Sequence, residues 1–367
     1  MSDIRFLVHP PVRVGLVGTG YAAMRRADSL QMEPRAQLVA IAGHTLERTQ
    51  TFSQPYGAIA CGSWAELIAR SDIDLVIIAT INRDHGAISR AALQANKHVV
   101  VEYPLSLSVA EADELIELSK AQNRLLHVEH IELMGGVHQA LKTALPLIGT
   151  VFSARYATLK PERPAPQRWT YHPDLFGFPL VGALSRLHRL TDLFGAVATV
   201  SCQAQFWEPT PNSVETRLIA SLPHYTTCLC TAQLRFKTGV LAEVTYGKGE
   251  ALWQAERKFE VQGEKGALIL DGDQGTLVQA DGSHAIAVGG RRGLFAKDTA
   301  LVLDHLTTEA PLYVSPAASA YTLKVADAAR RSAETGATIA LEMPDNRLSK
   351  FGAFSGWTGG SSKRARS

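Results

Sequence analysis

Between residues 12 and about 126, short apolar runs alternate with stretches whose apolar positions recur every three or four residues. The runs are 12–17, 38–42, 75–80 and 98–101, rich in Val and Ile and bounded by Gly or polar turns. Such runs read as buried strands and the periodic stretches as helices crossing back between them, which predicts βαβ units and a parallel sheet. Ser108 and Glu111 make a capping box at the head of a helix running to about Gln122.

The rhythm then changes. Residues 127–150 hold a further helix, ending near Gly149. Beyond it come period-two segments at 151–158, 228–236, 240–246, 258–261, 267–270 and 276–279, with a hairpin turn at Lys237-Thr238-Gly239. Helical stretches at about 182–194 and 317–335 interrupt and follow them. The fold class is therefore α/β plus α+β. A Rossmann dinucleotide-binding domain (1–126) precedes a domain (127–345) whose mostly antiparallel sheet carries helices on one face. The last residues, 346–367, are rich in Gly and Ser and end on basic residues, and read as a disordered tail.

Composition narrows the function classes. Of 367 residues, 37 are basic and 35 acidic, a net charge of +2, so no global field draws the chain to nucleic acid or anionic lipid. Hydrophobic residues make up 46% and the mean hydropathy is -0.01, ordinary for a soluble protein. The run around Leu75 to Ala79 is too short to span a bilayer, and Met1 to Arg5 starts no signal peptide. Four cysteines make no disulfide framework, and the expected compartment is the cytoplasm.

Gly18-Thr19-Gly20-Tyr21-Ala22-Ala23 follows the first strand and opens a helix. That context turns a weak Gly-x-Gly-x-x-Ala match into a dinucleotide fingerprint. Gly18 permits the tight turn, Gly20 admits a pyrophosphate to the backbone N–H groups, and Ala23 packs close to the strand. Chains that bind NAD usually end the second strand on an acid that holds the ribose 2′-hydroxyl. Here Gly43, His44 and Thr45 stand there, with no carboxylate before Glu47. His44, Thr45 and Arg48, or Arg25 and Arg26 opposite, can take a 2′-phosphate instead, so NADPH is expected over NADH.

Further along, Ile78-Ala79-Thr80-Ile81-Asn82 with His85, then Glu102-Tyr103-Pro104, resemble two motifs of the glucose–fructose oxidoreductase/inositol dehydrogenase family. So does the helix from Gly182 to Asp192. The two-domain order fits over roughly residues 12–335. The resemblance implies that Thr80, Ile81, Asn82, His85, Glu102 and Tyr103 face the nicotinamide. Yet Tyr103 stands where the family has Lys, Ser185 replaces its Asp and Arg189 its His, while Asp192 is kept. Removing a hydroxyl proton needs a group that titrates near the working pH, and arginine stays protonated above pH ~12. The chain either catalyses nothing or reduces a substrate that needs no hydroxyl deprotonated.

Seven segments in order, among them residues 17–23 and 79–82 above, resemble the biliverdin reductase branch of that family, cyanobacterial type. They include residues 165–171 and 176–180, Arg186 with Arg189, Tyr246 to Glu250 and Arg291 to Phe295; His127 to Leu133 carries the branch's second motif. This resemblance implies reduction of biliverdin by NADPH at the central methine carbon, with a proton added to a pyrrole nitrogen.

Arg186 and Arg189 lie three apart on a helix and face one way, able to hold a propionate or the lactam edge. The plain alternative is a pair of surface arginines bridged to Asp192. Tyr103 can stack, donate a hydrogen bond or simply pack. Trp169, Tyr171, Phe176 and Phe178, interleaved with prolines, can wall a flat π-surface or fill the core. Lys248, Arg291 and Arg292 either add charge for propionates or are solvated. On a strand, His127, Glu129, His130 and Glu132 alternate faces, so a hydrogen-bonded cluster is expected there and no metal. A homodimer through the second-domain sheet is possible. Two other readings stay open: a non-catalytic NADP(H)-binding regulator or bilin sensor, and a relative reducing another carboxylate-bearing substrate.

Overall fold

The computed structural model describes residues 7–208 and 224–342; the expected tail at 346–367 lies outside them. The first sheet holds β1 (Val12–Val17), β2 (Ala36–Ala42), β3 (Ile59–Cys61), β4 (Leu75–Ile78), β5 (His98–Val101) and β6 (Leu126–Val128). All pair in parallel, in the order β3-β2-β1-β4-β5-β6. Strand order reverses between β1 and β4, the place where ligands bind in open parallel sheets.

The crossovers are α1 (Tyr21–Gln31), α2 (Leu46–Ser53), α3 (Trp64–Ala69), α4 (His85–Gln94) and α5 (Val109–Ala121). Thr45, Ser63 and Ser108 cap three of them by accepting a backbone N–H through the side-chain oxygen. Because helices cover both faces, β4 and β5 are buried at every residue, which is why their sequence is continuously apolar.

The second sheet comprises β7 (Val151–Pro161), β8 (Val197–Trp207), β9 (Thr227–Phe236), β10 (Leu241–Gly249), β11 (Glu256–Gly263), β12 (Gly266–Asp271), β13 (Gln274–Gln279), β14 (Gly282–Ile286) and β15 (Ile339–Ala340). Its order is β14-β13-β12-β11-β7-β10-β9-β8-β15, antiparallel except where β7 meets β10. Along β10, Ala242, Val244, Tyr246 and Lys248 turn to the buried face. On the other face Arg155 bridges Glu243, Glu256 and Glu260. The expected hairpin joins β9 to β10 through Gly239, at φ +94°.

The helices of this half are α6 (Gly136–Ala144), α7 (Pro173–Phe176), α8 (Pro179–Gly182), α9 (Ser185–Phe194), α10 (Leu294–Thr308) and α11 (Pro316–Thr335). Two features differ from the sequence reading. The helix expected within 127–150 is α6 with the 3-10 turn after it, ending at Gly149, but before it β6 extends the parallel sheet through Val128 and Ile131–Leu133 forms another 3-10 turn. The parallel sheet thus runs past the boundary drawn at 126. The second feature is α10, which had no place in that reading. Its Val302, Leu303 and Leu306 join Val12, Leu16, Ile77 and Val100 in one buried cluster, so the chain returns from its second half to cover the first sheet.

Candidate functional site

The glycine loop is shaped by one contact. Gly18 has φ +129°, and a Cβ there would sit 2.1 Å from the Ala79 carbonyl oxygen, so any side chain would push the turn off β4. Ala23 is fully buried against the strands. At the other glycine the space is open: a Cβ on Gly20 would meet nothing within 4 Å. Gly20 precedes α1 in an extended conformation, with no side-chain cap and no acid in the first turn. The first N–H groups of α1 therefore point outwards unsatisfied, as an anion requires. Thr19 and Ala22 are half-buried beside them and Tyr21 lies exposed at the rim.

His44, Thr45 and Arg48 are exposed at the end of β2, and Arg48 Nη2 lies 3.5 Å from the Thr19 carbonyl oxygen. Arg25 and Arg26 do not join them. Arg25 pairs with Asp28 on the surface, and Arg26 is 1% exposed, its Nε donating to Glu102 at 2.9 Å and its Nη1 to Asp298 at 2.5 Å. Arg26 is thus withdrawn from any 2′-phosphate.

Beyond β4, Thr80 and Ile81 are half-buried. His85 bridges them to the Tyr103-Pro104 turn: Nδ1 lies 2.8 Å from the Pro104 carbonyl oxygen and Nε2 3.2 Å from that of Thr80. Burial pulls its pKa down and keeps the ring neutral. Asn82 reaches away, its Nδ2 donating to the Phe176 carbonyl at 2.9 Å and tying the two halves together. Tyr103 stacks on His130 with centroids 5.3 Å apart and donates its hydroxyl to Ser185 Oγ at 3.2 Å. Burial pushes the phenol up to about 12, so it holds its proton tightly.

The two arginines of α9 have different partners. Arg189 is 2% exposed and donates through Nη2 to Glu132, whose other oxygen accepts from Arg291. The acid expected for it, Asp192, instead binds His138 Nε2 at 2.7 Å and Lys142 Nζ at 3.0 Å. Arg186 donates Nη1 to Ser185 Oγ at 3.0 Å, and its guanidinium lies 5.3 Å from the centre of the Tyr246 ring. Among the described residues no carboxylate pairs with Arg186. Its Nε, like Arg189 Nη1, is buried without a hydrogen-bond partner. Tyr103, Ser185 and Arg186 thus form one polar chain with unspent donors.

Behind this chain, the strand expected over His127 to Glu132 ends at Val128, so strict alternation of faces does not hold. His127 and Tyr313 bind Asp298 at 2.9 and 2.7 Å, while His130 meets Ser319 at 2.8 Å and packs edge-on against His188. Burial and neighbouring Glu102 push the Glu129 carboxyl up. The four residues face different partners. The pairings of Asp298 with His127 and of Glu132 with Arg189 were missed in the sequence because the partners lie 171 and 57 residues apart.

Trp169 and Phe176 lie 5.8 Å apart between ring centres, and Phe178 packs half-buried against the main core. Lys248 is 4% exposed rather than solvated, its ammonium under Tyr171 and Phe176 and bonded to the Thr170 carbonyl. Arg291 and Arg292 are exposed, the first on Glu132.

Comparison with known proteins follows this geometry. Residues 12–130 match the model of an oxidoreductase family with an NAD-binding Rossmann fold, and residues 147–341 match the same family's C-terminal alpha/beta domain. The chain belongs to this oxidoreductase family. Biliverdin reductase from Synechocystis sp. PCC 6803, solved with biliverdin and NADP+, is 52% identical over 88% of this oxidoreductase and 99% of that chain, with a TM-score of 0.84. Biliverdin reductase A is 32% identical over 191 residues in Mus musculus and 29% over 189 in Homo sapiens. Those matches take in 51% of this oxidoreductase and span only 60% of the length of either mammalian protein.

Proposed function

We propose that this oxidoreductase reduces biliverdin to bilirubin with NADPH. The observation that carries the reading is Arg186: a half-buried guanidinium with an unspent donor and, among the described residues, no acid partner, set between Tyr103, Ser185 and Tyr246. Such a half-buried cation suits a substrate that brings carboxylates and a polar lactam edge. The 52% identity to a biliverdin reductase supports the same reading.

The residues present fit the cofactor. Gly18, Thr19, Gly20, Tyr21 and Ala22 would hold the pyrophosphate on the open start of α1, with His44, Thr45 and Arg48 at the 2′-phosphate. Thr80, Ile81, His85, Glu102 and Tyr103 would line the nicotinamide side, with Asn82 fixing the second half against it. When bound, NADPH supplies a hydride for the central methine carbon. The chain's own part is to hold the bilin flat and to guide a proton to the adjacent pyrrole nitrogen. Arg186 steadies the substrate's charge, with Arg189 held behind it on Glu132, and Trp169 and Phe178 wall its π-surface. A phenol pushed up to about 12 makes Tyr103 a holder of the hydrogen-bond chain more than a proton donor, so water at Arg186 delivers the proton.

Among the described residues no helix is long and apolar enough to cross a membrane. All four cysteines are free thiols, which suits a reducing cytoplasm. A homodimer would use the uncovered face of the second sheet around Arg155, and light scattering at several concentrations tests it. For activity, an absorbance time course with NADPH and biliverdin should show the bilin's red band fall as the yellow band of bilirubin grows. Cofactor binding without conversion across pH would favour the regulator or sensor instead.

A further inference from the structure

The 169–178 segment is held at two carbonyls. At one end Asn82 donates to the Phe176 carbonyl, and at the other the Thr170 carbonyl accepts from Lys248 Nζ and, at 3.1 Å, from the Tyr225 hydroxyl. Lys248 sits on the buried face of β10, two residues after Tyr246, the ring that Arg186 covers. Its ammonium lies 4.1 Å from the ring centre of Phe176, 4.6 Å from Tyr171 and 5.7 Å from Tyr225. Among the described residues no carboxylate forms an ion pair with it. A buried ammonium neutralised only by rings and one carbonyl is costly for folding, and such a charge marks a place where its direction is used.

We propose that Lys248 is a positioning residue for the substrate wall: by holding the Thr170 carbonyl from inside this aromatic box, its ammonium sets Trp169 and the 169–178 segment against the Arg186 site. This rests on the bilin reading, since the wall is that substrate's. The neutral Tyr225 phenol cannot replace it, because a charge-assisted bond is about twice as strong as a neutral one.

The groups around Lys248 come from every side. Cys228 lies on β9 and Tyr225 just before it, Lys160 and Glu162 at the end of β7, Tyr171 and His172 in the held segment, and Arg186 on α9. Burial pulls Lys248 down to about 8, with Lys160 and Arg186 acting the same way and Cys228 and Glu162 against it. Burial pushes Cys228, Tyr171 and Tyr225 up and His172 down, so these stay neutral around that pH. Lys160 and Tyr171 hold Glu162 low despite its burial, so it stays charged. Above pH ~8 the ammonium becomes an amine, and the grip on Thr170 weakens.

The test is the pH profile of kcat/KM for biliverdin in the protein and in Lys248→Arg and Lys248→Met, with circular dichroism as the folding control. The protein should lose kcat/KM above about pH 8, chiefly through KM. Lys248→Arg, which cannot lose its charge in that range, should show no such limb. Lys248→Met should sit about tenfold lower at neutral pH and show no limb either. Wild-type KM in a folded Lys248→Met, or an unmoved limb in Lys248→Arg, overturns the proposal. If Lys248→Met does not fold, the Arg variant's limb decides alone. A second readout needs no substrate: Trp169 emission, taken as the difference from Trp169→Phe, should titrate near pH ~8 in the protein and not in Lys248→Arg. If no bilin is turned over, the proposed function fails while this titration still decides the role of Lys248.

Discussion

Two arginines of this molecule, Arg26 and Arg186, are partnered in opposite ways. Arg26 is ion-paired to Glu102 and Asp298, and Asp298 in turn holds His127 and Tyr313, so the charge is met by two acids although Arg26 Nη2 has no hydrogen-bond partner. Arg186 has a serine, a tyrosine face and an idle Nε. The first arrangement locks α1, β6 and α10 together. The second leaves a charge whose complement must come from outside. Residue type and burial alone do not separate structure from function; whether an acid of the protein meets the charge does.

That contrast can be broken at either end. The largest effect belongs to Arg26→Met, which strands Asp298 as a buried acid without its cation. Urea unfolding should show a loss of about 3–5 kcal/mol, with any protein that stays folded still turning over. Next is Arg186→Ala, expected to leave the unfolding free energy within about 1 kcal/mol but to lower kcat/KM by about 10²–10³. Should the stability losses of the two variants prove equal, the distinction collapses.

The neutral histidines behind Tyr103 sharpen the comparison through pH. Burial holds His188 at about 4, below its unfolded value near 6.5, so the unfolded chain binds more protons between those values. Stability therefore falls as pH drops from 6.5 towards 4, by about 3 kcal/mol from this residue. Denaturation at stepped pH should show that slope reduced in His188→Gln, and an unchanged slope would assign the loss to other groups. The smallest effect is Arg25→Ala. Its pair with Asp28 is exposed, and the unfolding free energy should move by less than about 0.5 kcal/mol.

Much of this was legible in the chain. The Val- and Ile-rich runs became β1, β2, β4 and β5, and the glycine turn sits at the β1–α1 junction with the packing its residues implied. Both signals are local, carried by a few consecutive residues whose steric needs admit one answer. The helix within 127–150 was legible, whereas β6 and the turn after it were not, because a three-residue strand and a 3-10 turn are too short to show a period. The helix α10 escaped notice, and with it Asp298, which sits 272 residues from Arg26. Arg186 and Arg189 were legible as a pair, yet not that Glu132 takes one and leaves the other.

By itself, then, the sequence determined the two-layer order, the parallel sheet, the dinucleotide turn and the types of residue brought to the site. Periodicity, glycine sterics and side-chain chemistry act over a turn or a strand, and each is written in neighbouring letters. Only the tertiary structure decided which charges are satisfied: Arg26 and Arg189 by distant acids, Lys248 by three rings and a carbonyl, Arg186 by a hydroxyl and one ring with no acid among the described residues. Ion pairing and desolvation depend on distance in space, and the fold sets that distance independently of separation along the chain.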